Sequence, residues 1–484
     1  MPLRAPLLTG APVGLLPALI LASCSLSKFD AVPCTENLEC RDAFGWGYTC
    51  DTDAGLCAET ETRARCDASW PEDLLSDRAA YRDLIVLGAL VDRGEADAEM
   101  LAFELPIRQV NDASGLDGRR FGLIECDVTE SASYDDLTLD EANLDLAMWL
   151  ADEIGVPAIL GPQYSSDALA VFTEVEPLGT LVMSHSATSP ALTDVDGNNP
   201  TDQNPGLFWR TAPPDSLQGA AIAIDMSSRG VQHAAVIYQS GAYGEGLADV
   251  FNSELTAKGG TVDLYYFEDD NQRDEAVVDA GASDVEEVLF IASEQSDVEA
   301  FLRGAGARLE DYSSKGIFLA DSAYYLAVFE ATQATAGDLF PNIRGSRPTV
   351  DTSTSAYALF STAYLATYAV DPTGSAYPAY AYDASWLLIY GAAWATYQED
   401  GVSGLGMARG LRKVSYGDEV EIKPGTWPTV TANFETGDAV DVIGASGDLD
   451  YDPSTGETSA PIEIWYVECA GSSCTFGQHD IIEP

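Results

Sequence analysis

The sequence predicts an α/β protein of two doubly wound parallel-sheet lobes with a ligand cleft between them, plus a small N-terminal disulfide-rich module. Three observations carry this. Apolar strand runs alternate with amphipathic helices from about Leu84, and the alternation restarts at "HAAVIYQ". Four cysteines crowd into "CTENLECRDAFGWGYTCDTDAGLC" before either series begins. Strands alternating with helices imply βαβ units and a parallel sheet. The 484 residues exceed one ordinary core, so two or more domains are expected.

In the first series "LIVLGAL" reads as a buried strand, and "MLAFELPIRQVND" as a helix ending near Asn111 ahead of a glycine-rich turn. "FGLIECDV" is the next strand, "LDEANLDLAMWLADEIG" an amphipathic helix, and "VPAIL" a strand. After "VPAIL" comes "GPQYSSDALA". Ser165, Ser166 and Asp167 open a helix whose apolar face is Ala168, Val171, Phe172 and Val175. "LVM" is a strand that leads into "SATSP".

In the second series "HAAVIYQ", "TVDLYYF", "DVEEVLFIAS" and "SKGIFLAD" carry strands, with helices in "GEGLADVFNSELTAKGG" and "SDVEAFLRGAGA". Residues 354–399 are rich in Tyr and Ala, lack a strand pattern and are expected to return to the first lobe. "DLDYDPSTGETSAPIEIWYVE" reads as a hairpin around "STGE". The first lobe is therefore expected at 84–214 and 346–433, the second at 215–345 and 434–470, and a tail at 471–484. "DVDGNNPTDQN" and "DLDYDPSTGE" lack the Gly and Glu of a calcium loop, so no metal or other cofactor is expected.

Twenty-four Lys+Arg stand against 78 Asp+Glu, a formal net charge of -54. That field repels nucleic acid and anionic lipid, which excludes both as partner surfaces. An aromatic content of 10% with widespread apolar periodicity argues against disorder.

Residues 1–23 read as a secretory signal: Arg4, an apolar run broken by Pro and Gly, then small residues. "LASC" resembles the lipobox of bacterial lipoproteins. The resemblance implies cleavage before Cys24 and its lipidation, and Ser25 and Leu26 after it resemble an outer-membrane address. Residues 24–68 are then lipid anchor, linker and four-Cys module.

Eight other cysteines in an exported chain suggest disulfides. Cys34, Cys40, Cys50 and Cys57 allow three connectivities, of which Cys34–Cys50 with Cys40–Cys57 is preferred. Cys469 and Cys474 bracket "AGSS", a loop that a bridge could close, and Cys66 and Cys126 remain as a pair. Zinc lacks a C-x2-C pair and a nearby His.

"AILGPQYSSDALA", "SHSATSPALTD", "FWRTAPPDSLQGAA" and "AAVIYQSGAYGEGLADVFNSELTAKGG" resemble, in order, signatures of type I periplasmic binding proteins. The resemblance is to the leucine/isoleucine/valine-binding branch that serves ABC importers, and it spans about Leu84 to Val467. It implies that Ser165 and Ser166, at a helix N-terminus suited to an anion, hold an amino-acid carboxylate. It implies that Ser186, Ala187 and Thr188 meet the ligand's ammonium and carboxylate, and that Tyr243 and Tyr377 wall its side chain. Asp321, one position from the best alignment, is the acidic partner of the ammonium. "ASEQS" (Ser293, Glu294) departs from the family, and the loop "DRGEADAEM" matches none of its ligand loops.

An enzyme is not expected. No G-x-S-x-G, Walker A, H-E-x-x-H or complete G-x-G-x-x-G is present, and His185, His233 and His479 are the only histidines. The expected function is an extracytoplasmic lipoprotein that binds a small ligand, an amino acid, for an ABC permease. The alternative is a tethered sensor or regulator of an envelope enzyme on the same fold.

Overall fold

The computed structural model describes residues 32–94, 97–131, 134–197, 200–471 and 473–483. The signal segment and Cys24 lie outside them. Strand Ile85–Val91 is buried at all seven positions, as a strand covered by helices on both faces must be. It lies between the parallel strands Phe121–Asp127 and Ala158–Leu160, and the sheet continues through Leu181–Ser184 to Phe208–Arg210. Ala68–Trp70 closes the other edge, antiparallel to Phe121–Asp127, beside the bridge Cys66–Cys126.

The second sheet runs, in spatial order, Thr261–Phe267, His233–Gln239, Glu287–Ile291, Gly316–Leu319 and Ile343–Pro348, all parallel. Two antiparallel strands, Ile462–Ala470 and Ser473–Ile482, complete it. The chain thus crosses between lobes after Arg210, after Pro348 and before Ile462. Helices Ser355–Tyr368 and Pro378–Gln398 pack with the first lobe. Residues Pro378 to Ala395 are buried without a break, which is why their sequence shows no polar face.

Three expectations differ from the structure. The turn at Ser454–Gly456 is not a hairpin: the side chain of Asp452 accepts from Ser454 N–H, and the carbonyl of Asp452 accepts from Gly456 N–H. The true hairpin joins Ile462–Ala470 to Ser473–Ile482 and is closed by Cys469–Cys474. Residues 473–482 are accordingly a sheet strand rather than a tail. Residues from 434 also stay with the first lobe longer than expected, because Phe434, Val440, Val442, Leu449 and Tyr451 fill its core.

The four-Cys module carries the bridges Cys34–Cys50 and Cys40–Cys57, in the preferred pairing. It seats on the C-terminal end of the helical segment Leu139–Met148 and Trp149–Ile154, where carbonyls lack intrahelical partners. Arg41 Nη1 donates to the Asp152 carbonyl at 2.5 Å, and Thr60 Oγ1 donates to that of Glu153 at 3.2 Å. Buried Arg78 returns the contact, donating to the carbonyls of Gly47 at 3.0 Å and Thr60 at 2.7 Å. This end of the lobe lies at the amino ends of its strands, away from the cleft. Among the described residues no helix is long and apolar enough to cross a membrane.

Candidate functional site

Ligands of open parallel sheets bind beyond the carboxyl ends of the strands. Here seven such ends face one another between the lobes. Val91, Leu160, Ser184 and Arg210 lead to Glu99, Ser165, Ser186 and Asp215 in the first lobe and its exit. Gln239, Ile291 and Leu319 lead to Tyr243, Ser293 and Asp321 in the second. Between them lies a cavity of about 60 Å³. The first lobe lines it with Glu99, Gln163, Tyr164, Ser165 and Ser186. The second supplies Tyr243, Ser293, Gln295, Asp321, Ser322 and Tyr325, and the returning chain supplies Tyr377.

Ser165 is the first residue of helix Ser165–Val175 and is 3% exposed. The preceding Tyr164 gives no side-chain cap, and the first N–H groups of a helix have no intrahelical partner. Ser165 Oγ accepts from Ser189 N–H at 3.2 Å, which leaves its own hydrogen free to point into the cavity. Asp167 sits buried in this first turn. Burial, then the neighbouring Asp140 and Asp92, push its carboxyl up to about 8. It is therefore largely protonated near neutral pH and does not cancel the positive end of the helix dipole.

The "SATSP" loop is shaped by Arg210, 1% exposed, which donates to the carbonyls of Ala187 at 3.0 Å and Ser189 at 2.9 Å. Glu457, from the third crossing, holds the same guanidinium through both carboxylate oxygens. Ser186 lines the cavity and donates to the Gln163 carbonyl at 3.0 Å. The Ala187 carbonyl is taken by Arg210. Thr188 is buried behind the lining, and its hydroxyl has no hydrogen-bond partner among the described residues. Ser166 also lies outside the lining: its Oγ accepts from Ala242 N–H at 3.1 Å, across the lobes. Ser189 adds a second bond across them, to the Ala242 carbonyl at 2.6 Å.

Asp321 is the centre of the opposite wall. Its Oδ1 accepts from Gln218 Nε2 at 2.8 Å and from Tyr243 hydroxyl at 2.6 Å, and its Oδ2 accepts from Tyr377 hydroxyl. Both tyrosines therefore do more than wall a pocket; they orient this carboxylate. Burial, then the charge of Asp321, raises both phenols well above their ordinary value, so they remain donors.

Two acidic residues escaped the sequence reading. Asp215 is fully buried, and neither of its carboxylate oxygens has a partner among the described residues. Burial and then Asp321 raise its carboxyl well above the carboxylate range, opposed by Thr188 and Arg210. Its segment "FWRTAPPDSLQGAA" was singled out, but its place at the start of helix Asp215–Ser228 gives an ordinary reason for Asp. Glu99 comes from the unmatched loop "DRGEADAEM". It is 3% exposed and accepts from Tyr325 hydroxyl at 3.0 Å and Ser375 hydroxyl at 2.9 Å. His185 Nε2 lies 2.8 Å from its other oxygen, and the imidazole packs edge-on against Phe103. His185 is thus a buried brace for Glu99 rather than part of the lining.

With this geometry the chain can be set beside known proteins. The family model for periplasmic binding proteins matches residues 88–435, and the chain belongs to that family. The fold is that of solved type I members. A leucine-binding protein, LivK, of Thermotoga maritima is 18% identical with a TM-score of 0.63, over 83% of this chain and 99% of that one. LivJ of Streptococcus pneumoniae, solved with isoleucine, is 17% identical with a TM-score of 0.59, over 82% and 100%. A solute-binding protein of R. palustris, solved with 4-hydroxybenzoate, is 13% identical with a TM-score of 0.63, over 83% and 97%. No curated protein matches the chain in sequence.

Proposed function

We propose that the chain is a non-catalytic, extracytoplasmic receptor that closes its lobes on a small amino acid and delivers it to an ABC importer. One observation carries this reading: a single small cavity sets an uncapped helix N-terminus against a buried, preoriented carboxylate. The N–H groups of the Ser165 turn and the hydroxyls of Ser165 and Ser186 meet the ligand carboxylate. Asp321 meets its ammonium from the other lobe, and the Thr188 hydroxyl supports the carboxylate end from behind the lining. The Ser165 turn and Asp321 come from opposite lobes, so a ligand that bridges them stabilises the closed form. The solved relatives named above include proteins with amino-acid and aromatic-acid ligands, which supports a carboxylate-bearing ligand. Lipid on Cys24 would hold the receptor at the membrane. The module at the pole away from the cleft would then face the tether.

The test is a thermal-shift screen of the purified protein against amino acids, amides and short peptides. A ligand at 100 times its Kd stabilises the folded state by about 2.7 kcal/mol. Turnover of an amino acid during incubation would contradict a receptor.

A further inference from the structure

The cavity wall has a composition that its carboxylate-and-ammonium recognition does not require. Of its lining side chains, two are carboxylates, Glu99 and Asp321, and none is Lys or Arg. None is Leu, Ile, Val, Met or Phe, and the ring surface comes from Tyr164, Tyr243, Tyr325 and Tyr377. Behind Asp321 stands Asp215, fully buried. Glu99 accepts from the Tyr325 and Ser375 hydroxyls and has His185 Nε2 2.8 Å from its other oxygen; a carboxylate offers about four lone-pair positions, so one remains for the cavity.

We propose that the cleft selects an amino acid of net positive charge, whose short side chain ends in an ammonium set against Glu99. The proposal rests on the reading of the cleft as an amino-acid site and names its ligand class. A net-neutral zwitterion uses Asp321 and leaves Glu99 facing a side chain that brings no charge. His185 stands behind Glu99, a counter-charge only when its imidazole is protonated, and no Lys or Arg faces Glu99 from the lining. A second ammonium would supply a permanent positive charge on the cavity side, and tyrosine ring faces attract cations as well. The mouth favours the same ligand. Exposed Glu294 of the second lobe, next to Asp297, feels Asp92 and Glu130 of the first, so the lips are acidic on both sides. An acidic entrance raises the local concentration of cations. An aliphatic side chain would meet no aliphatic wall.

The test uses three amino acids of nearly equal shape. L-2,4-diaminobutyrate, L-homoserine and L-norvaline end in ammonium, hydroxyl and methyl. Titration calorimetry on the purified protein is expected to give diaminobutyrate an affinity about tenfold or more above either isostere. In Glu99→Gln that preference is expected to collapse. Homoserine or norvaline binding wild-type protein as tightly as diaminobutyrate overturns the proposal, and so does an unchanged preference in Glu99→Gln. The wild-type series decides the matter even if the variant fails to fold. If none of the three binds but another amino acid does, the charge selection is wrong and the receptor reading stands. If no amino acid binds, the receptor reading itself has failed.

Discussion

Tyr243 donates its hydroxyl to Oδ1 of Asp321 at 2.6 Å, and so fixes a carboxylate at the end of one strand from the first turn of a neighbouring helix. Gln218 and Tyr377 complete the hold. Asp321→Asn keeps the shape but removes the charge. It is expected to weaken amino-acid binding by about one to two decades, since hydrogen bonds to charged groups contribute roughly 1.5–3 kcal/mol. Asp321→Ala should in addition lower the melting temperature of the empty protein, because three buried donors lose their acceptor. Calorimetry and thermal melts on the two variants separate these effects.

The lobes meet where Gly246 passes Pro190. A Cβ at Gly246 would lie 2.8 Å from Pro190 Cδ and 3.0 Å from Ser189 Oγ. Gly246→Ala therefore wedges the closed form without touching the cavity. Within a helix Ala is favoured over Gly by up to about 1 kcal/mol. The variant is expected to melt no lower than wild type in the empty state yet bind ligand several-fold more weakly. Small-angle scattering with saturating ligand should show a larger radius of gyration than wild type. An unchanged affinity would mean that this contact plays no part in closure.

Three buried carboxyls predict the sign of the pH dependence. Burial raises Asp167 to about 8, and Asp383 and Glu125 to about 7. In the unfolded chain each loses its proton near pH 4. Between there and pH 7–8 the folded state binds more protons, so stability falls as pH rises. The stability these groups contribute is present below their unfolded pKa and is lost as pH climbs through the folded values. Melts at pH 5 are expected to lie above those at pH 8. Asp167→Asn should raise the pH 8 melt by several degrees and flatten the slope. A variant with the wild-type slope would show that Asp167 does not carry the effect.

The module predicts a separation of stability from affinity. Arg41 meets the Asp152 carbonyl far from the cleft, and Gly155 packs against its stem. Arg41→Ala should cost roughly 0.5–1.5 kcal/mol of stability, the net worth of one hydrogen bond, since Asn37 Nδ2 still donates to that carbonyl at 3.3 Å. Affinity should stay within a few-fold by calorimetry. A large loss of affinity with the fold intact would show that the module shapes the cleft.

The order of elements was legible because burial imprints period and alternation on the sequence. The pairing of Cys34 with Cys50 and of Cys40 with Cys57 agreed as well. The hairpin was misplaced because "STGE" carries turn chemistry that Asp452 uses within a crossing, while the true hairpin pairs the two strands that Cys469–Cys474 joins. A place in the cavity lining was legible where a residue follows a strand end and fits a family motif, as with Ser165, Ser186 and Asp321. Ser166 was not, because its partner, Ala242, lies in the other lobe. Glu99 was not, because its loop follows no motif and only the strand end at Val91 aims it at the cleft. Asp215 was hidden by an adequate local reason for an acidic residue at a helix start.

The central claim is that Asp321 meets the ammonium of an amino acid inside the interlobe cavity. The most direct measurement is a calorimetric cycle with the best amino acid from the screen and the same molecule lacking its amino group, on wild-type protein and Asp321→Asn. Removing the ammonium or the carboxylate should each weaken binding, and removing both should cost little more than removing one. Losses that simply add would contradict the account, because they would show that the ammonium and Asp321 do not touch.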